Sequence, residues 1–401
     1  MHDQTRSAIR LMAFPPQIRT DAGFSRRLAV FYGASCAAIG VQMPFLPVWL
    51  AAKELDSRLI GLVLALPMLV RVFAIPVVTG LADRRDCLRA GIVIAATTAV
   101  LGYAALGLAE GVLAISMLLA LASVAYTPLM PLTDAYALRG LAQHGRAYGP
   151  VRLWGSVTFI VGSFGAGVLL DLTAPGDLIW FMVAVMVPTT LAALALRPLE
   201  VHGAPGPGAW ASVKAVLRNR AFLAVIAAAS LIQASHAAYY GFSTLGWRAA
   251  GLDGKVVGAL WAVGVLAEIV LFSVSGRLPA GLGPTTLLRL GAAGAVIRWS
   301  AMAFDPPAAL LPLLQCLHAL SFGATHLGTM GFIAQTTPAG LAARAQGYVA
   351  VALGLVMAGA MSLSGFLYGR FGAGAYAGMA LIAAAGGLCA LAAHRRARPT
   401  S

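Results

Sequence analysis

Apolar residues fill this chain in long runs, and short polar breaks separate one run from the next. Each run holds about 18 to 26 mostly apolar residues, enough to cross about 30 Å of hydrocarbon as an α-helix. Twelve spans are predicted, at 28–51, 58–81, 89–108, 112–137, 150–170, 178–196, 220–246, 255–277, 285–303, 308–334, 343–367 and 372–393. The pattern therefore predicts an all-α integral membrane protein whose twelve transmembrane helices are joined by short loops.

One longer polar break divides the chain near its middle. Residues 197–219 are rich in proline, glycine and charge, and we expect them to form a cytoplasmic loop between two six-helix bundles at 28–196 and 220–393. A cytoplasmic N-terminal segment, 1–27, and a cytoplasmic tail, 394–401, complete the predicted organisation. The N-terminal segment has no apolar run that could act as a cleavable signal, so the first span is expected to direct insertion.

Composition and the placement of charge support a membrane location. Hydrophobic residues make up 60% of the chain and charged residues only 10%, whereas a soluble domain carries roughly a quarter charged residues. Of the 28 Lys and Arg residues, 21 fall in the termini and in the loops on the same side, and six fall on the opposite side. This asymmetry predicts that both termini are cytoplasmic. The net charge of +14 is spread over many loops rather than gathered in one patch, which argues against nucleic-acid binding.

Sequence motifs give no indication of an enzyme. The four cysteines show no CxxC pairing, and the chain has no P-loop, HExxH, Gly-x-Ser-x-Gly or clustered His/Asp metal motif. We therefore expect neither a metal nor a cofactor, and a proton gradient is the expected source of energy. A membrane enzyme or a receptor is the alternative class. No enzyme motif supports the first, and no segment fits the signalling domain expected of the second.

The two halves of the chain resemble each other at a shift of 197 to 198 residues. Residues 146–149, Arg-Ala-Tyr-Gly, match residues 344–347, Arg-Ala-Gln-Gly, at a shift of 198, and at a shift of 197 Arg71 falls on Glu268. The same helix order recurs on the same side in each half. These matches indicate two parallel repeats, an arrangement in which the substrate site lies near the membrane midplane between the halves.

Polar residues collect on one face of spans 1, 4, 7 and 10 when they are plotted at 100° per residue. Because polar groups are costly in hydrocarbon, these faces are expected to line a shared aqueous cavity. The residues predicted to contact substrate on them are Tyr32, Gln42, Tyr126, His236, Tyr240, Phe322 and Thr325. Spans 3, 6 and 12 are almost purely apolar and are expected to be lipid-facing supports. The alternative is that the polar groups only bond between helices and hold the bundle together.

A few charged groups lie deep within spans. Glu268, in span 8, is costly to ionise at this depth and is predicted to carry the proton, assisted by His318 and His326 of span 10. The alternative is a permanent ion pair between Glu268 and an arginine. Arg71, in the middle of span 2, is predicted to bind an anionic substrate or to partner Glu268. Arg298 is a second candidate for binding the anionic substrate. The alternative is that its side chain snorkels to the outer membrane interface.

Charged residues at the cytoplasmic ends of the spans are predicted to form a gate. This predicted gate contains Asp83, Arg84, Asp134, Arg146 and Arg152. Asp134 is expected to pair with Arg139, Arg146 or Arg152, and Asp83 and Arg84 to lock one conformation through charge contacts between helices.

Two motifs carry a resemblance to a known family. The loop Gly80-Leu81-Ala82-Asp83-Arg84-Arg85 resembles the Gly-x-Leu-Ala-Asp-Arg signature of the major facilitator superfamily. The stretch 148–156, Tyr-Gly-Pro-Val-Arg-Leu-Trp-Gly-Ser, resembles a motif of its 3-phenylpropionate permease group, relatives of lactose permease. The resemblance implies two pseudo-symmetric six-helix bundles, alternating access, and a proton-coupled symporter of the bacterial inner membrane. Relatives of lactose permease also carry a Glu in helix 10 that has no counterpart here.

Taken together, the deep groups favour an anionic cargo. Arg71, Arg298 and the histidines outweigh Glu268, and the aromatic residues suit a ring by stacking. We therefore predict a monomeric transporter that takes up a small organic anion, such as an aromatic carboxylate, together with a proton. The alternatives are proton symport of a neutral sugar or nucleoside, and proton-driven efflux.

Overall fold

The computed structural model describes residues 22–199, 219–279, 282–337 and 341–397. Most of these residues lie in twelve membrane helices. Nine are single helices: α1 Ala22–Ala52, α2 Ser57–Arg84, α3 Leu88–Gly107, α5 Tyr148–Leu172, α6 Leu178–Leu194, α8 Gly254–Val274, α9 Pro284–Ala303, α11 Ala342–Phe371 and α12 Ala375–Ala397. Three are interrupted: α4 is Val112–Tyr126 with Leu129–Gln143, α7 is Arg220–Ala234 with Ala237–Ala249, and α10 is Leu311–Cys316, a π-helical turn Ala319–Ala324 and Thr325–Thr336.

The predicted fold class is confirmed. Ten helical segments in the described part of the chain are long and apolar enough to cross a membrane, judged by length and composition. One of them, Arg344–Arg396, contains both α11 and α12, while α9, which carries Arg289 and Arg298, is not among them. The predicted termini and central loop lie mainly at 1–21, 200–218 and 398–401, outside the described residues.

The interruptions fall in three of the four helices that were predicted to line the cavity. α4 breaks at Pro128, whose ring cannot donate a backbone hydrogen bond. α7 breaks at His236, and α10 widens into the π-helical turn. At membrane depth, irregular backbone is tolerated where it is buried in protein or lines a cavity. π-helical turns are also frequent at functional sites.

The two halves repeat one packing scheme. In the first half α1 packs on α5 and α6, α3 on α4 and α6, and α2 on α4; in the second half the helices six places later form the same pairs. Across the halves α2 packs on α11, α5 on α8, and α1 on α7. Two lateral interfaces, α2–α11 and α5–α8, therefore flank the space between the halves.

Close backbone contact seals the halves at their outer ends, meaning the helix ends remote from the chain termini. A Cβ on Gly61 of α2 would lie 2.8 Å from the Cα of Gly365 in α11. A Cβ on Gly167 of α5 would lie 2.2 Å from the carbonyl oxygen of Gly254, the first residue of α8. Only residues without a side chain allow two helix backbones to approach this closely.

Candidate functional site

The second half contains a buried cluster organised by one arginine. Arg298 of α9 is 0% exposed, and its guanidinium donates to Gln315 Oε1 at 2.5 Å, His318 Nδ1 at 3.0 Å and Ser321 Oγ at 3.4 Å. We call Arg298, Gln315, His318, Ser321 and His236 the arginine cluster. Arg298 therefore does not snorkel to the interface, which was the alternative in the sequence analysis.

Aromatic rings complete the surroundings of this guanidinium. The carbon at its centre lies 4.6 Å from the ring centroid of Tyr239 and 4.5 Å from that of Trp299. A planar guanidinium presents five donors at its edge and stacks through its faces, so one residue meets rings and acceptors at once. No carboxylate of the described residues lies within 4 Å of Arg298, and its partners are neutral groups or a histidine.

The hydrogen bonds of the arginine cluster define which ring nitrogen of His318 and of His236 carries the proton in the neutral form. A guanidinium cannot accept, so His318 Nδ1 must be the acceptor and the proton of the neutral ring lies on Nε2. The bond from Arg298 thus holds His318 as a neutral imidazole of defined orientation. His236 Nδ1 donates to the carbonyl of Gln233 at 3.1 Å, so in the neutral form of that ring Nε2 accepts from Ser321 Oγ at 3.1 Å.

Glu268 faces the arginine cluster from α8. Its side chain is 20% exposed, and Oε2 lies 3.7 Å from Nε2 of His318, the nitrogen assigned the proton. A Cβ on Gly323 would lie 3.7 Å from Cγ of Glu268, so the π-helical turn leaves room for the carboxylate. The permanent pair of Glu268 with an arginine is not formed within 4 Å in the described structure.

Arg71 lies apart from Glu268, although the repeat relates their positions. It is on α2 beside α11, where a Cβ on Gly354 would lie 3.6 Å from its Cγ, whereas Glu268 is on α8, which packs on α5. Arg71 Nε is buried and has no hydrogen-bond partner among the residues that the structure describes. The expected Arg71–Glu268 partnership is therefore wrong for this conformation, because the two residues belong to opposite lateral interfaces.

The first half has a polar cluster of its own. The hydroxyls of Tyr32 and Tyr148 both donate to Oδ1 of Asp134, the latter at 2.9 Å. Arg152 lies 5.5 Å from the Tyr32 ring centroid and donates to Cys36 Sγ at 3.7 Å. We call Tyr32, Asp134, Tyr148 and Arg152 the tyrosine–aspartate cluster.

The expected pairing of Asp134 with an arginine is wrong in this structure. Arg139 pairs with Asp86 instead, Arg146 is exposed, and no arginine of the described residues lies within 4 Å of the Asp134 carboxylate. Two tyrosine hydroxyls satisfy that carboxylate because α1 and α5 pack side by side next to α4.

The other residues that were predicted to line the cavity either form its aromatic walls or pack between helices. The ring of Phe322 stacks between those of His318 and His326, with ring centroids 5.1 and 6.4 Å away. The rings of Tyr240 and His236 stack with centroids 5.6 Å apart. Thr325 is fully buried and donates to the backbone of its own helix at 2.9 Å, so it packs rather than lines a cavity in this conformation.

A third group lies in the first half around two tyrosines. Gln42 Nε2 donates to the hydroxyl of Tyr103, and the ring of Tyr126 lies 5.7 Å from that of Tyr103. The Tyr126 hydroxyl is buried and has no hydrogen-bond partner in the described part of the chain. Tyr103 belongs to α3, which was predicted to be a lipid-facing support, so its place in a polar group was not predicted from the sequence.

The contacts that close one end of the molecule are at the outer end. Asp171, at the end of α5, pairs with Arg248 of α7 at 2.9 Å and accepts from the backbone N–H groups of Gly254 and Lys255 at 2.7 and 3.0 Å. We call Asp171, Arg248 and the first residues of α8 the outer latch. The latch was not predicted from the sequence; an acidic residue at a span end, with a basic residue at the outer end of the opposite half, is the signal that could have indicated it.

The residues of the predicted inner gate do not close the opposite end. Asp83, Arg84 and Arg146 are exposed, and Arg152 lies in the tyrosine–aspartate cluster. The structure is therefore closed at its outer end, and these residues are free to meet partners only in another conformation.

Two similar six-helix halves, with polar clusters buried between lipid-facing helices and a seal at one end, define a membrane transporter with the major facilitator fold. The chain belongs to the MFS_1-like family, whose model matches residues 25–376. Proteins of this kind are transporters and not enzymes.

Comparison with known proteins agrees with this assignment. The chain is 32% identical over 366 residues to the "Probable 3-phenylpropionic acid transporter" of Escherichia coli strain K12, covering 90% of this chain and 95% of that protein. It is 31% identical over 290 residues to the maltose permease of Geobacillus stearothermophilus, covering 69% and 71%.

Solved structures share the fold at low sequence identity. A mutant of the nucleoside transporter NupG superposes with a TM-score of 0.82 at 15% identity, covering 94% of this chain and all of that chain. An inward-facing bacterial homologue of the lysosomal transporter Spinster gives 0.69 at 13% identity, covering 94% and 98%.

Proposed function

We propose that this protein takes up a small organic anion, such as an aromatic carboxylate, by proton symport across the bacterial inner membrane. Both termini lie in the cytoplasm in this proposal, so the outer latch closes the periplasmic side. The protein works as a monomer by alternating access, with the proton gradient as its only energy source.

The observation that carries the proposal is the excess of cationic groups within the membrane-spanning helices. Arg71, Arg152 and Arg298 lie within spans, against the carboxylates of Asp134 and Glu268. Isolated charge in a low-dielectric interior is costly unless it is compensated. An anionic substrate supplies that compensation, and Arg71, whose Nε has no partner, is the proposed contact for its carboxylate.

Aromatic side chains support a substrate that carries a ring. Tyr32 and Tyr126 of the first half, and Tyr240 and Phe322 of the second half, belong to the four helices with polar faces. The name of the Escherichia coli relative is consistent with such a cargo.

Glu268 is the proposed proton site; His318 lies 3.7 Å from its carboxylate, and His326, which stacks on Phe322, is the proposed second proton carrier. When Glu268 takes up a proton, one negative charge disappears and the surroundings become more attractive to an anion. Proton and substrate then favour each other's binding, and the coupling is reciprocal. Arg298 keeps His318 neutral with its Nε2–H towards the carboxylate, so the histidine can stabilise the ionised form.

The test is Glu268→Gln in proteoliposomes, with Glu110→Gln, an exposed carboxylate on a loop of the first half, as the matched control. Glu268→Gln is expected to abolish accumulation of labelled 3-phenylpropionate driven by a pH gradient while leaving exchange across the membrane. Normal accumulation by Glu268→Gln would remove this carboxylate from the coupling.

Neutral sugar transport is the second candidate, favoured by the maltose permease relative. Arg71→Ala separates the two: uptake of 3-phenylpropionate should fall at least tenfold, whereas uptake of maltose should not need this charge. If the wild-type protein transports maltose and Arg71→Ala has no effect, the anion proposal is wrong. A deletion strain that no longer grows on the solute indicates uptake, whereas a deletion strain that becomes less tolerant to the solute indicates efflux.

A further inference from the structure

The outer end of the second half contains a cavity of about 480 Å³ that is separate from the clusters described above. It lies where the outer end of α7, the α9–α10 loop, the end of α11 and the start of α12 meet. All residues that line it belong to the second half. Its size is within the range of pockets that take small molecules.

Aromatic rings form much of its wall. Phe242 of α7 stacks on Tyr368 of α11 with ring centroids 4.7 Å apart, and Tyr376 of α12 stacks on Trp299 at 5.7 Å. Trp247 adds a further aromatic side chain. Rings held by stacking on one another form a pre-organised surface for a planar ligand.

Two polar atoms in the wall have no partner. Ser243 and Tyr376 are 2% and 4% exposed, and neither hydroxyl forms a hydrogen bond with any residue in the described ranges. A buried hydroxyl without a partner costs free energy, and native proteins leave few such groups. Two of them lining one cavity indicate that a polar ligand or ordered water completes the site.

The charge at the cavity is negative. Asp305, in the α9–α10 loop, is the one charged side chain among the lining residues. It is exposed and forms no ion pair within 4 Å with any residue that the structure describes. Its φ of 50° places the backbone in the left-handed region, which Asp and Asn tolerate better than most residues.

From this geometry we propose that the cavity is a binding site, open on the outer side, for a small aromatic amine cation. The ammonium group pairs with Asp305, the ring lies against Phe242, Trp247 and Tyr368, and the hydroxyls of Ser243 and Tyr376 meet the polar part of the ligand. This site differs in charge from the proposed transport site, so its ligand is not the transported anion.

The charge preference can be tested with a matched pair of probes. 2-Phenylethylammonium and 3-phenylpropionate share a ring and a two-carbon chain and differ in the sign of the terminal charge. Binding of each to the purified full-length protein is measured by titration calorimetry. Saturable binding of the cation is expected, and its absence would overturn the proposal.

Variants locate the bound cation. Asp305→Asn keeps the backbone conformation and removes the charge, so the affinity for 2-phenylethylammonium should fall at least tenfold while that for 3-phenylpropionate is unchanged. Asp177→Asn, an exposed outer aspartate of the first half, is the matched control and should have no effect. If Glu268→Gln rather than Asp305→Asn removes binding, the cation lies between the halves and the proposed site is wrong.

Tyr376→Phe gives a second readout that is independent of charge. Because the hydroxyl has no partner in the unliganded protein, its removal should not lower the melting temperature. The variant should nevertheless bind 2-phenylethylammonium several-fold more weakly. Unchanged affinity in both Tyr376→Phe and Asp305→Asn would show that the cavity does not hold the ligand.

Discussion

Removal of the outer latch should open the outer end of this transporter. In Asp171→Ala the ion pair with Arg248 and both hydrogen bonds to the start of α8 disappear, while α5 keeps a good helix former. The glycine contacts between α5 and α8 remain. The substitution therefore separates the electrostatic part of the closure from the packing part.

The size of the effect follows from the exposure of the partners. The side chains of Arg248 and Asp171 are 36% and 26% exposed. Solvent screening therefore reduces the contribution of their ion pair to the stability of the closed state to about 0.5 kcal/mol. Each charge-assisted bond to a backbone N–H at the α8 N-terminus adds about 1 kcal/mol, also reduced by exposure. A total of about 2 kcal/mol corresponds to a roughly 30-fold shift from the closed to the open outer end.

Distances between spin labels measure this population directly. Labels at Asp177 and Phe304, both exposed at the outer ends of opposite halves, report the separation in a variant without its natural cysteines. Asp171→Ala should increase the fraction of long distances. Glu110→Gln breaks the Lys53–Glu110 pair, which lies within the first half, and should not. Identical distance distributions for Asp171→Ala and the parent protein would refute the latch.

Two further variants test the arginine cluster and the glycine seal. The lysine of Arg298→Lys cannot donate to Gln315, His318 and Ser321 together, so this variant should lose about 2 to 4 kcal/mol of stability and all transport. Arg289→Lys, on the same helix, should lower the melting temperature much less. Equal losses in the two variants would contradict the special role of Arg298. Gly365→Val would place a Cβ 2.6 Å from the Ser57 carbonyl oxygen and should hold the outer end open with loss of uptake. A Cβ at Gly359 would meet nothing within 4 Å, so Gly359→Val should transport normally. Normal uptake by Gly365→Val would show that this contact is not needed for closure.

Much of the fold could be predicted because its main signal is local. Each span must satisfy its own backbone hydrogen bonds in hydrocarbon, so apolar length alone indicates a helix. The repeat between the halves likewise predicts that helices six places apart pack alike, as α1 on α5 and α7 on α11 do. One-sided polar faces also singled out α4, α7 and α10, the helices in which the structure interrupts the helical geometry.

The partners of the charged residues could not be predicted in the same way. Residue types alone suggested Asp134 with an arginine and Arg71 with Glu268, and the structure forms neither pair. Those partners depend on which helices are neighbours and on the rotation of each helix about its axis. A rotation of a few tens of degrees exchanges a lipid-facing residue for a cavity-facing one, and hydropathy does not record it.

The sequence by itself determined the number, order and membrane character of the helices, because burying a segment in lipid depends on that segment alone. Tertiary structure decided that Arg298 is buried among rings and histidines, that Asp171 holds the outer end closed, and that the inner charged residues stand open. The arginine cluster joins helices within the second half, whereas the outer latch depends on the relative position of the two halves, which a few kcal/mol can shift. Both join residues far apart in the chain, so the sequence of a single helix does not specify them.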